Sequence, residues 1–195
     1  MKHYVLTGGI GSGKSTILEL FKKMDVPTFS ADDSAKYVMQ HNPEVKKKIK
    51  ALFGKSAYND GILNRKWIAE QVFNDKVKLD KLNKEVHPAA KAAYTKWQAK
   101  QNAPYTIYEF PIVFELNAQG RFDGVILITA PEKKRIQRVQ NRDNVSEDAV
   151  QARISNQWTD EQKVALADFV IENIELSNTI SQVKALHEKL LKNSN

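Results

Sequence analysis

The stretch "LTGGIGSGKST", Leu6–Thr16, decides the fold of this 195-residue chain. It carries the pattern G-x-x-x-x-G-K-[ST] of a phosphate-binding loop at Gly8, Gly13, Lys14 and Ser15. Glycine adopts the backbone conformations that turn N–H groups toward a phosphate, and the N-terminus of a following helix adds partial positive charge. The pattern predicts a site for ATP or GTP, in which Lys14 contacts the β- and γ-phosphates and the Ser15 hydroxyl binds Mg²⁺.

The residues on both sides of the loop predict a strand before it and a helix after it. "HYVLTG" is a short apolar run, and the apolar residues of "KSTILELFKKM" have helical spacing. Further strands are predicted for "VPTFS", "TIYEF", "GVILITA" and "FVIEN", at 26–30, 106–110, 124–130 and 169–173. Apolar strands separated by helices are typical of a parallel sheet covered on both faces.

A long helical region separates the second of these strands from the third. It exceeds the crossover that two parallel strands need, so we interpret it as an inserted lobe at 33–101. Within it, "NPEVKKKIKALFG" has the proline and glycine of a helix start and end. "YNDGIL" is predicted to be a turn, and Pro88 is expected to kink a long helix or separate two helices.

A second helical region follows "GVILITA". Arg135, Arg138 and Arg142 are spaced to share one helix face, which favours a lid that closes over a triphosphate; the alternative is a solvated basic helix. Capping boxes are predicted at "TDEQ", 159–162, and "TISQ", 179–182. The whole chain, 1–195, is then one unit with a core at 1–32, 102–130 and 165–195, the acceptor lobe at 33–101 and the lid at 131–164.

Carboxylates follow two of the predicted strands. Glu109 ends "TIYEF", where many phosphate-loop proteins supply a second group that holds Mg²⁺, although they usually do so with aspartate on another strand. Asp32 and Asp33 follow "VPTFS", where a carboxylate can orient an acceptor hydroxyl and take its proton. The alternative for these aspartates is a helix N-cap, with one capping while the other acts.

Composition narrows the class of protein. The chain has no cysteine, no signal-like N-terminus and no apolar run long enough to span a membrane, so we expect a soluble, cytoplasmic protein. The net charge of +7 indicates either a lysine-rich solvated surface or an anionic ligand. Together, the loop, lobe and lid describe a small kinase, so we predict an α/β fold with a P-loop kinase-like parallel β-sheet core flanked by helices.

The chain resembles the dephospho-CoA kinase family over nearly its whole length. The resemblance rests on an ordered set of motifs: "LTGGIGSGKST", "SADDSAK" at 30–36, "DGILNRKWIAEQVF" at 60–73, "HP" at 87–88, "EFPIVFE" at 109–115, "RVQNRD" at 138–143 and "ADFVIEN" at 167–173. The loop alone indicates a nucleotide, whereas the ordered set is far more specific.

The resemblance implies transfer of the ATP γ-phosphate to the ribose 3′-hydroxyl of dephospho-CoA, a small-molecule substrate, with ATP and Mg²⁺ required. It implies that Asp32 is the base and that Arg65 contacts the acceptor, with Glu109 near it. His87 either contacts the acceptor or packs beside Pro88. The remaining implied roles concern the nucleotide: Arg138 and Arg142 in the lid, Asn173 near the adenine, and Gly11, Ser12, Gly13, Lys14, Ser15 and Thr16 in the loop and helix start.

Three positions depart from the family pattern. Ser30 and Glu109 stand where the family usually has aspartate, and Glu175 stands where it usually has glycine. These departures bear on the metal geometry and the adenine pocket, and they leave the class unchanged.

Three other functions fit part of the pattern. A nucleoside monophosphate kinase shares the loop, lobe and lid, and differs in its acceptor. A nucleic-acid-dependent NTPase would explain the charge, but the lysines are dispersed and no RNA-binding motif is found. A nucleotide-binding switch would not consume ATP on addition of an acceptor. We therefore expect no nucleic-acid or membrane partner, and a monomer or weak homo-oligomer.

Lys14→Ala is expected to lower the rate of phosphate transfer by at least about 10²-fold, because the ammonium group stabilises charge on the transferring phosphate. The measurement is kcat at saturating ATP and acceptor. A variant that turns over at the wild-type rate would contradict the assignment of the loop.

Overall fold

The computed structural model describes residues 1–72 and 75–194, and these contain both strands and helices. The strands are β1 Lys2–Thr7, β2 Thr28–Ser30, β3 Tyr58–Asn59, β4 Ile62–Leu63, β5 Tyr105–Glu109, β6 Gly124–Thr129 and β7 Phe169–Glu172. The helices are α1 Lys14–Lys22, α2 Ala31–His41, α3 Pro43–Phe53, α4 Arg65–Val72, α5 Lys76–Gln98, α6 Glu132–Asp143, α7 Glu147–Ile154, α8 Asp160–Val164 and α9 Leu176–Ser194. Phe73, the last residue of the motif "DGILNRKWIAEQVF", lies outside the described residues, as do Asn74 and Asn195.

The chain divides into two compact units. The first unit combines Met1–Phe29 with Gln101–Asn195, and the second unit is Ser30–Lys100. The second unit overlaps the lobe expected at 33–101, and the segment expected to be the lid, 131–164, belongs to the first unit. The division into core, lobe and lid stays a prediction.

A five-stranded sheet forms the centre of the first unit, in the order β2–β5–β1–β6–β7. The strand β1 pairs in parallel with both β5 and β6, and β6 pairs in parallel with β7. Val5 of β1 therefore lies between Tyr108 and Val125. The apolar runs in the sequence are continuous because these central strands are buried on both faces. The parallel sheet expected from the sequence is confirmed.

The main core of the first unit lies between this sheet and the helices α1 and α9. Phe21 of α1 and Leu190 of α9 are completely buried in it, together with Ile126 and Ile128 of β6. The helical spacing of apolar residues seen in the sequence places Ile17, Leu18 and Phe21 on this buried face of α1.

The second unit has its own core, which is formed mainly by α2, α3, α4 and α5. Val38, Ile49 and Val86 are among its buried side chains. The Asp-Gly turn predicted at "YNDGIL" joins β3 and β4 in an antiparallel hairpin, with φ of 48° at Asp60 and 82° at Gly61. Two residues with positive φ are what a tight hairpin turn of this kind requires.

The structure corrects three local expectations. The helix α5 continues through Pro88, so Pro88 does not separate two helices, and the alternative of a kink stays a prediction. The side chain that caps α2 belongs to Ser30, whose Oγ accepts a hydrogen bond from the N–H of Asp33, so neither Asp32 nor Asp33 is the N-cap. The segment "TISQ" does not start a helix, because α9 already begins at Leu176.

The other predicted helix signals are confirmed. Asn42 and Gly54 flank α3, with Pro43 at its first position. Thr159 and Gln162 form a reciprocal capping box at the start of α8. Among the described residues, no helix is both long and apolar enough to cross a membrane.

Neighbouring residues of β7 provide a matched test of the core. Ile171→Ala is expected to lower the free energy of unfolding by about 2–5 kcal/mol, because Ile171 is fully packed and truncation leaves a cavity. Val170 is 44% exposed, so Val170→Ala is expected to cost less than about 1 kcal/mol. Urea denaturation measures both values, and equal losses would contradict the proposed packing of β7.

Candidate active site

The phosphate loop connects β1 to α1 at the carboxyl end of the central strand. The neighbouring parallel strands β5, β6 and β7 end at the same edge, so the residues that follow them lie beside the loop. The helix α1 follows Gly13 without a side-chain cap, and its first turn begins with hydrogen bonds from Thr16 and Ile17 to the Gly13 carbonyl. A helix start of this kind attracts an anion.

The glycines of the loop are required by what surrounds them. A Cβ atom at Gly8 would lie 2.3 Å from the carbonyl oxygen of Ile128, and one at Gly11 would lie 2.4 Å from that of Arg135. A Cβ atom at Gly13 would lie 2.1 Å from the Asn173 amide nitrogen. The loop is therefore packed tightly against β6, α6 and the end of β7.

The side chain of Lys14 folds back over the loop that precedes it. Its Nζ donates to the carbonyl oxygens of Gly8 and Gly9, at 2.9 and 3.3 Å. These contacts hold the ammonium group against the loop backbone, and its contact with the β- and γ-phosphates stays a prediction.

The Ser12 carbonyl is held from outside the loop by Asn173. The side-chain amide of Asn173 is buried and donates to Ser12 O at 2.8 Å, and its Oδ1 accepts from the Thr179 hydroxyl at 3.1 Å. Because a trans peptide is planar, the N–H of Gly13 points away from Asn173 when the Ser12 carbonyl points toward it. The contact between Asn173 and Ser12 thus sets the direction of the Gly13 amide.

Arg138 of α6 reinforces the same connection. Its Nη2 donates to the backbone carbonyl of Asn173 at 2.8 Å, and its Nη1 lies 3.4 Å from the carbonyl oxygens of both Gly11 and Ser12. The structure therefore brings Arg138 and Asn173 together with the loop. A contact of Asn173 with adenine stays a prediction.

The three arginines predicted on one face of a helix all lie on α6, in three different environments. Arg135 is 7% exposed and packs against Gly9, and Arg138 is half-buried. The guanidinium of Arg142 is 63% exposed and binds the Asp143 carboxylate at 2.8 and 3.2 Å. Only Arg142 of the three extends toward solvent.

Asp143 binds two arginines at once. Arg153 of α7 donates to its Oδ2 at 2.7 Å, and Nη2 of Arg142 donates to the same oxygen. The hydrogen bond from Arg142, with a further contribution from Arg153, lowers the pKa of the Asp143 carboxyl to about 2. The same hydrogen bond raises the pKa of Arg142, so both groups are charged at neutral pH.

Glu109 is the last residue of β5 and pairs in register with Leu6 of β1. The carboxylate is therefore attached to the strand next to the one that leads into the loop. The segment after Glu109 is tied to the same strand, because the Thr7 hydroxyl donates to the carbonyl oxygen of Pro111 at 3.0 Å.

The other predicted site residues belong to the second unit. Asp32 is in the first turn of α2, Arg65 begins α4 and His87 lies within α5, and all three are exposed. Contact of His87 with the acceptor and packing beside Pro88 both stay alternatives. The roles of these three residues stay predictions.

A magnesium site at the loop stays a prediction, and it would need few protein donors. No cluster of three or more histidine or acidic side chains with metal-binding geometry occurs in residues 1–72 and 75–194. Mg²⁺ in phosphate-transfer sites usually binds one or two protein groups, the phosphates of the substrate and water. The hydroxyl of Ser15, in the first turn of α1, is a donor of this kind.

Sequence reasoning did not assign three residues that contact the loop or its supports. Gln157 accepts a hydrogen bond from the Ile10 N–H at 2.9 Å, Thr179 orients Asn173, and Asp160 binds Arg135. Thr179 was noticed only as part of an apparent capping box, and Asp160 only as the residue after a cap. Each of these residues contacts a residue that is distant in the sequence or on another element, so the local sequence pattern does not predict the contact.

The family model and the curated relatives of similar sequence indicate one family. The family model described as dephospho-CoA kinase matches residues 4–178. A dephospho-CoA kinase from Syntrophotalea carbinolica is 36% identical over 192 residues, which cover 95% of this chain and 90% of that protein. A crystal structure of a Thermus thermophilus protein has 31% identity and a TM-score of 0.86, with 97% of both chains covered. A dephospho-CoA kinase from Campylobacter jejuni, at 24% identity and TM-score 0.65 over 98% of both chains, has the same fold.

Gly11 and Gly61 provide a matched pair of glycines with nearly the same backbone strain, because their φ values are 78° and 82°. A Cβ atom at Gly61 meets nothing within 4 Å, whereas one at Gly11 meets the backbone of Arg135. Gly11→Ala is expected to weaken ADP binding by at least about tenfold, since the loop must move. Gly61→Ala is expected to lower stability by about 1–2 kcal/mol and leave ADP affinity unchanged.

Isothermal titration with ADP and a thermal melt of each variant separate the two effects. Equal ADP affinities for Gly11→Ala and wild type would show that the contact with Arg135 does not shape the loop.

Proposed function

Because this chain belongs to the dephospho-CoA kinase family, we propose that it transfers the γ-phosphate of ATP to the ribose 3′-hydroxyl of dephospho-CoA. The products are CoA and ADP. The observation that carries the proposal is a phosphate loop held by Asn173 and Arg138, in a chain whose family match extends from residue 4 to residue 178.

The loop and α1 bind the phosphates of ATP. The backbone amides around Gly13 and the start of α1 supply fixed dipoles, so little reorganisation is needed when charge develops on the transferring group. Lys14 exchanges the carbonyl oxygens of Gly8 and Gly9 for phosphate oxygens. These carbonyls hold the ammonium group in the loop before ATP binds, which supports its role in transfer.

The arginines of α6 act at different distances from the phosphates. Arg138 supports the loop and is placed to add positive charge beside it. Arg142 is exposed and held by Asp143, so it exchanges a carboxylate for phosphate oxygens when the nucleotide binds. Guanidinium groups form paired hydrogen bonds with carboxylates and with phosphates. The hydrogen bonds that Arg142 loses to Asp143 are therefore replaced by hydrogen bonds to the nucleotide.

Mg²⁺, when bound, neutralises charge on the β- and γ-phosphates. Ser15 would hold it with its hydroxyl, and Glu109 would hold it directly or through water. Both residues extend from the carboxyl edge of the sheet, Ser15 on the helix after β1 and Glu109 at the end of β5.

The second unit binds the acceptor. Residues 30–100 contain 15 basic and eight acidic side chains, so this unit carries the whole net charge of +7; the other unit has 15 of each. Dephospho-CoA is anionic through its pyrophosphate, and a positive field attracts such a substrate. Arg65 and His87, both exposed, are the side chains proposed to contact it.

We also propose that the enzyme acts in the cytoplasm, as a monomer or weak homo-oligomer without a nucleic-acid partner. The absence of cysteine from the sequence supports a reducing compartment. The spread of lysines over several helices supports a small anionic acceptor over a nucleic acid.

The test is acceptor-dependent ADP release, measured with ATP and Mg²⁺ across dephospho-CoA, AMP, CMP, GMP and single-stranded RNA. The proposal predicts strong stimulation by dephospho-CoA alone. Stimulation by a nucleoside monophosphate or by RNA would overturn it and assign another ligand to the second unit.

Asp32 and Asp33 are adjacent carboxylates with different surroundings. Asp33 binds Lys36 at 2.9 Å, and Ser30 replaces both aspartates as the cap of α2. Asp32→Asn is expected to leave ATP binding nearly unchanged and to lower kcat by about 10²–10⁴-fold, because a general base is lost.

The matched control is Asp33→Asn, which makes the same charge change at the next residue and is expected to retain most of the turnover. Steady-state rates and ATP titrations of both variants decide the assignment. Wild-type turnover by Asp32→Asn would remove Asp32 from the reaction.

A further inference from the structure

We propose that Asp160, acting through Arg135, is a positioning residue for the first half of the phosphate loop, Gly9–Gly11. The proposal rests on the proposed function in one respect, namely that this loop binds ATP. It concerns two charged residues, Arg135 and Asp160, that are not part of the loop.

Arg135 packs directly on the loop. A Cβ atom at Gly9 would lie 1.9 Å from its Nη1, and one at Gly11 would meet its backbone. The guanidinium is thus in contact with Gly9, and its side chain is only 8% exposed. A larger residue at Gly9 would displace the guanidinium, and one at Gly11 would collide with the Arg135 backbone.

Asp160 holds the guanidinium in this place. Its Oδ1 lies 3.3 Å from Arg135 Nη1 and 3.5 Å from the Cβ position of Gly9, whereas Glu132 is more distant, at 3.9 Å from Nη2. Asp160 is itself only 20% exposed. Burial raises the pKa of the Asp160 carboxyl, and the charge of Arg135 opposes this rise.

The helix that carries Asp160 is anchored to the segment after β5. The side chain of Lys163 is completely buried, and its Nζ lies 2.9 Å from Glu115 Oε1. The same carboxylate oxygen accepts the backbone N–H of Trp158 at 3.1 Å. Trp158 before α8 and Lys163 within α8 therefore both bind Glu115, so Asp160 is held from both sides along the chain.

A second contact from the same turn reaches the loop. Gln157 Oε1 accepts the N–H of Ile10 at 2.9 Å. The segment 157–163 thus contacts Ile10 directly and Gly9 through Arg135. Two contacts on consecutive residues, from one anchored segment, fix the path of the loop before it turns toward the phosphates.

Neutralising Asp160 is expected to change nucleotide affinity in one direction if Asp160 acts only through its charge, and in the other direction if it positions the loop. Asp160 is a negative group near a phosphate site, so a pure charge effect predicts tighter binding when it is neutralised. A positioning role predicts weaker binding, because Arg135 and the loop lose their support. Asp160→Asn therefore gives opposite results under the two explanations.

The neighbouring residue Glu161 is the matched control. It is exposed on the same helix, and Glu161→Gln makes the same charge change. We expect Asp160→Asn to weaken ADP binding by about tenfold, with Glu161→Gln at the wild-type affinity or slightly tighter. The KM for ATP is expected to rise in Asp160→Asn, with the KM for the acceptor unchanged.

A double variant tests whether Asp160 acts through Arg135. If it does, Arg135→Gln combined with Asp160→Asn binds ADP within about twofold of Arg135→Gln alone, because coupled effects are not additive. Arg135→Lys keeps the charge with a shorter reach to Asp160, and it is expected to weaken ADP binding as well. This variant decides the proposal if Asp160→Asn does not fold.

The outcomes separate this proposal from the proposed function. Unchanged or tighter ADP binding by Asp160→Asn or Arg135→Lys, with wild-type ADP binding intact, would overturn the positioning role and leave the kinase assignment untouched. Independent, additive effects of the two residues would also overturn it. Wild-type protein that binds neither ADP nor ATP would instead contradict the proposed function.

Discussion

The hydrogen bond from the Asn173 amide to the Ser12 carbonyl is the contact on which the nucleotide site depends. It turns the Gly13 N–H the other way, and a phosphate loop binds through such amides. Arg138 and Thr179 hold Asn173 in place, and each comes from a different helix. Because the amide dipoles are fixed by the folded protein, the site does not need to be organised by the nucleotide, which is the condition for effective electrostatic stabilisation of a transferring phosphate.

The two units differ in net charge, and we relate this difference to the binding of phosphates and of the acceptor. The first unit has equal numbers of acidic and basic residues and binds phosphates through backbone dipoles and a few placed cations. Its buried charges occur in pairs, such as Lys163 with Glu115, since an unpaired buried charge is costly. The second unit carries the whole excess of lysine on its helices. A positive field of that kind attracts an anionic acceptor over a distance, and we propose that individual groups such as Asp32 orient its hydroxyl.

The central strands, α1 and the loop were predictable because each depends on local pattern: continuous apolar runs, helical spacing and a motif of glycines. Contacts made across the fold were not. The spacing of Arg135, Arg138 and Arg142 indicates a shared helix face but not which arginine is buried. Thr179 and Gln182 match a capping box, yet they lie inside α9, where Thr179 binds Asn173 and Gln182 binds the backbone of Glu172. Pro88 lies within α5 because tertiary packing outweighs the loss of one helical hydrogen bond.

The most direct test of the account follows the transferred group. ATP labelled with ³²P in its γ-phosphate would be incubated with the protein, Mg²⁺ and dephospho-CoA, and the labelled products would be separated and identified by mass. The account predicts that the label appears in CoA, with one labelled CoA formed for each ADP, because the fixed loop passes the phosphate to the ribose hydroxyl. Recovery of the label in inorganic phosphate, with dephospho-CoA unchanged, would show an ATP hydrolase and contradict it.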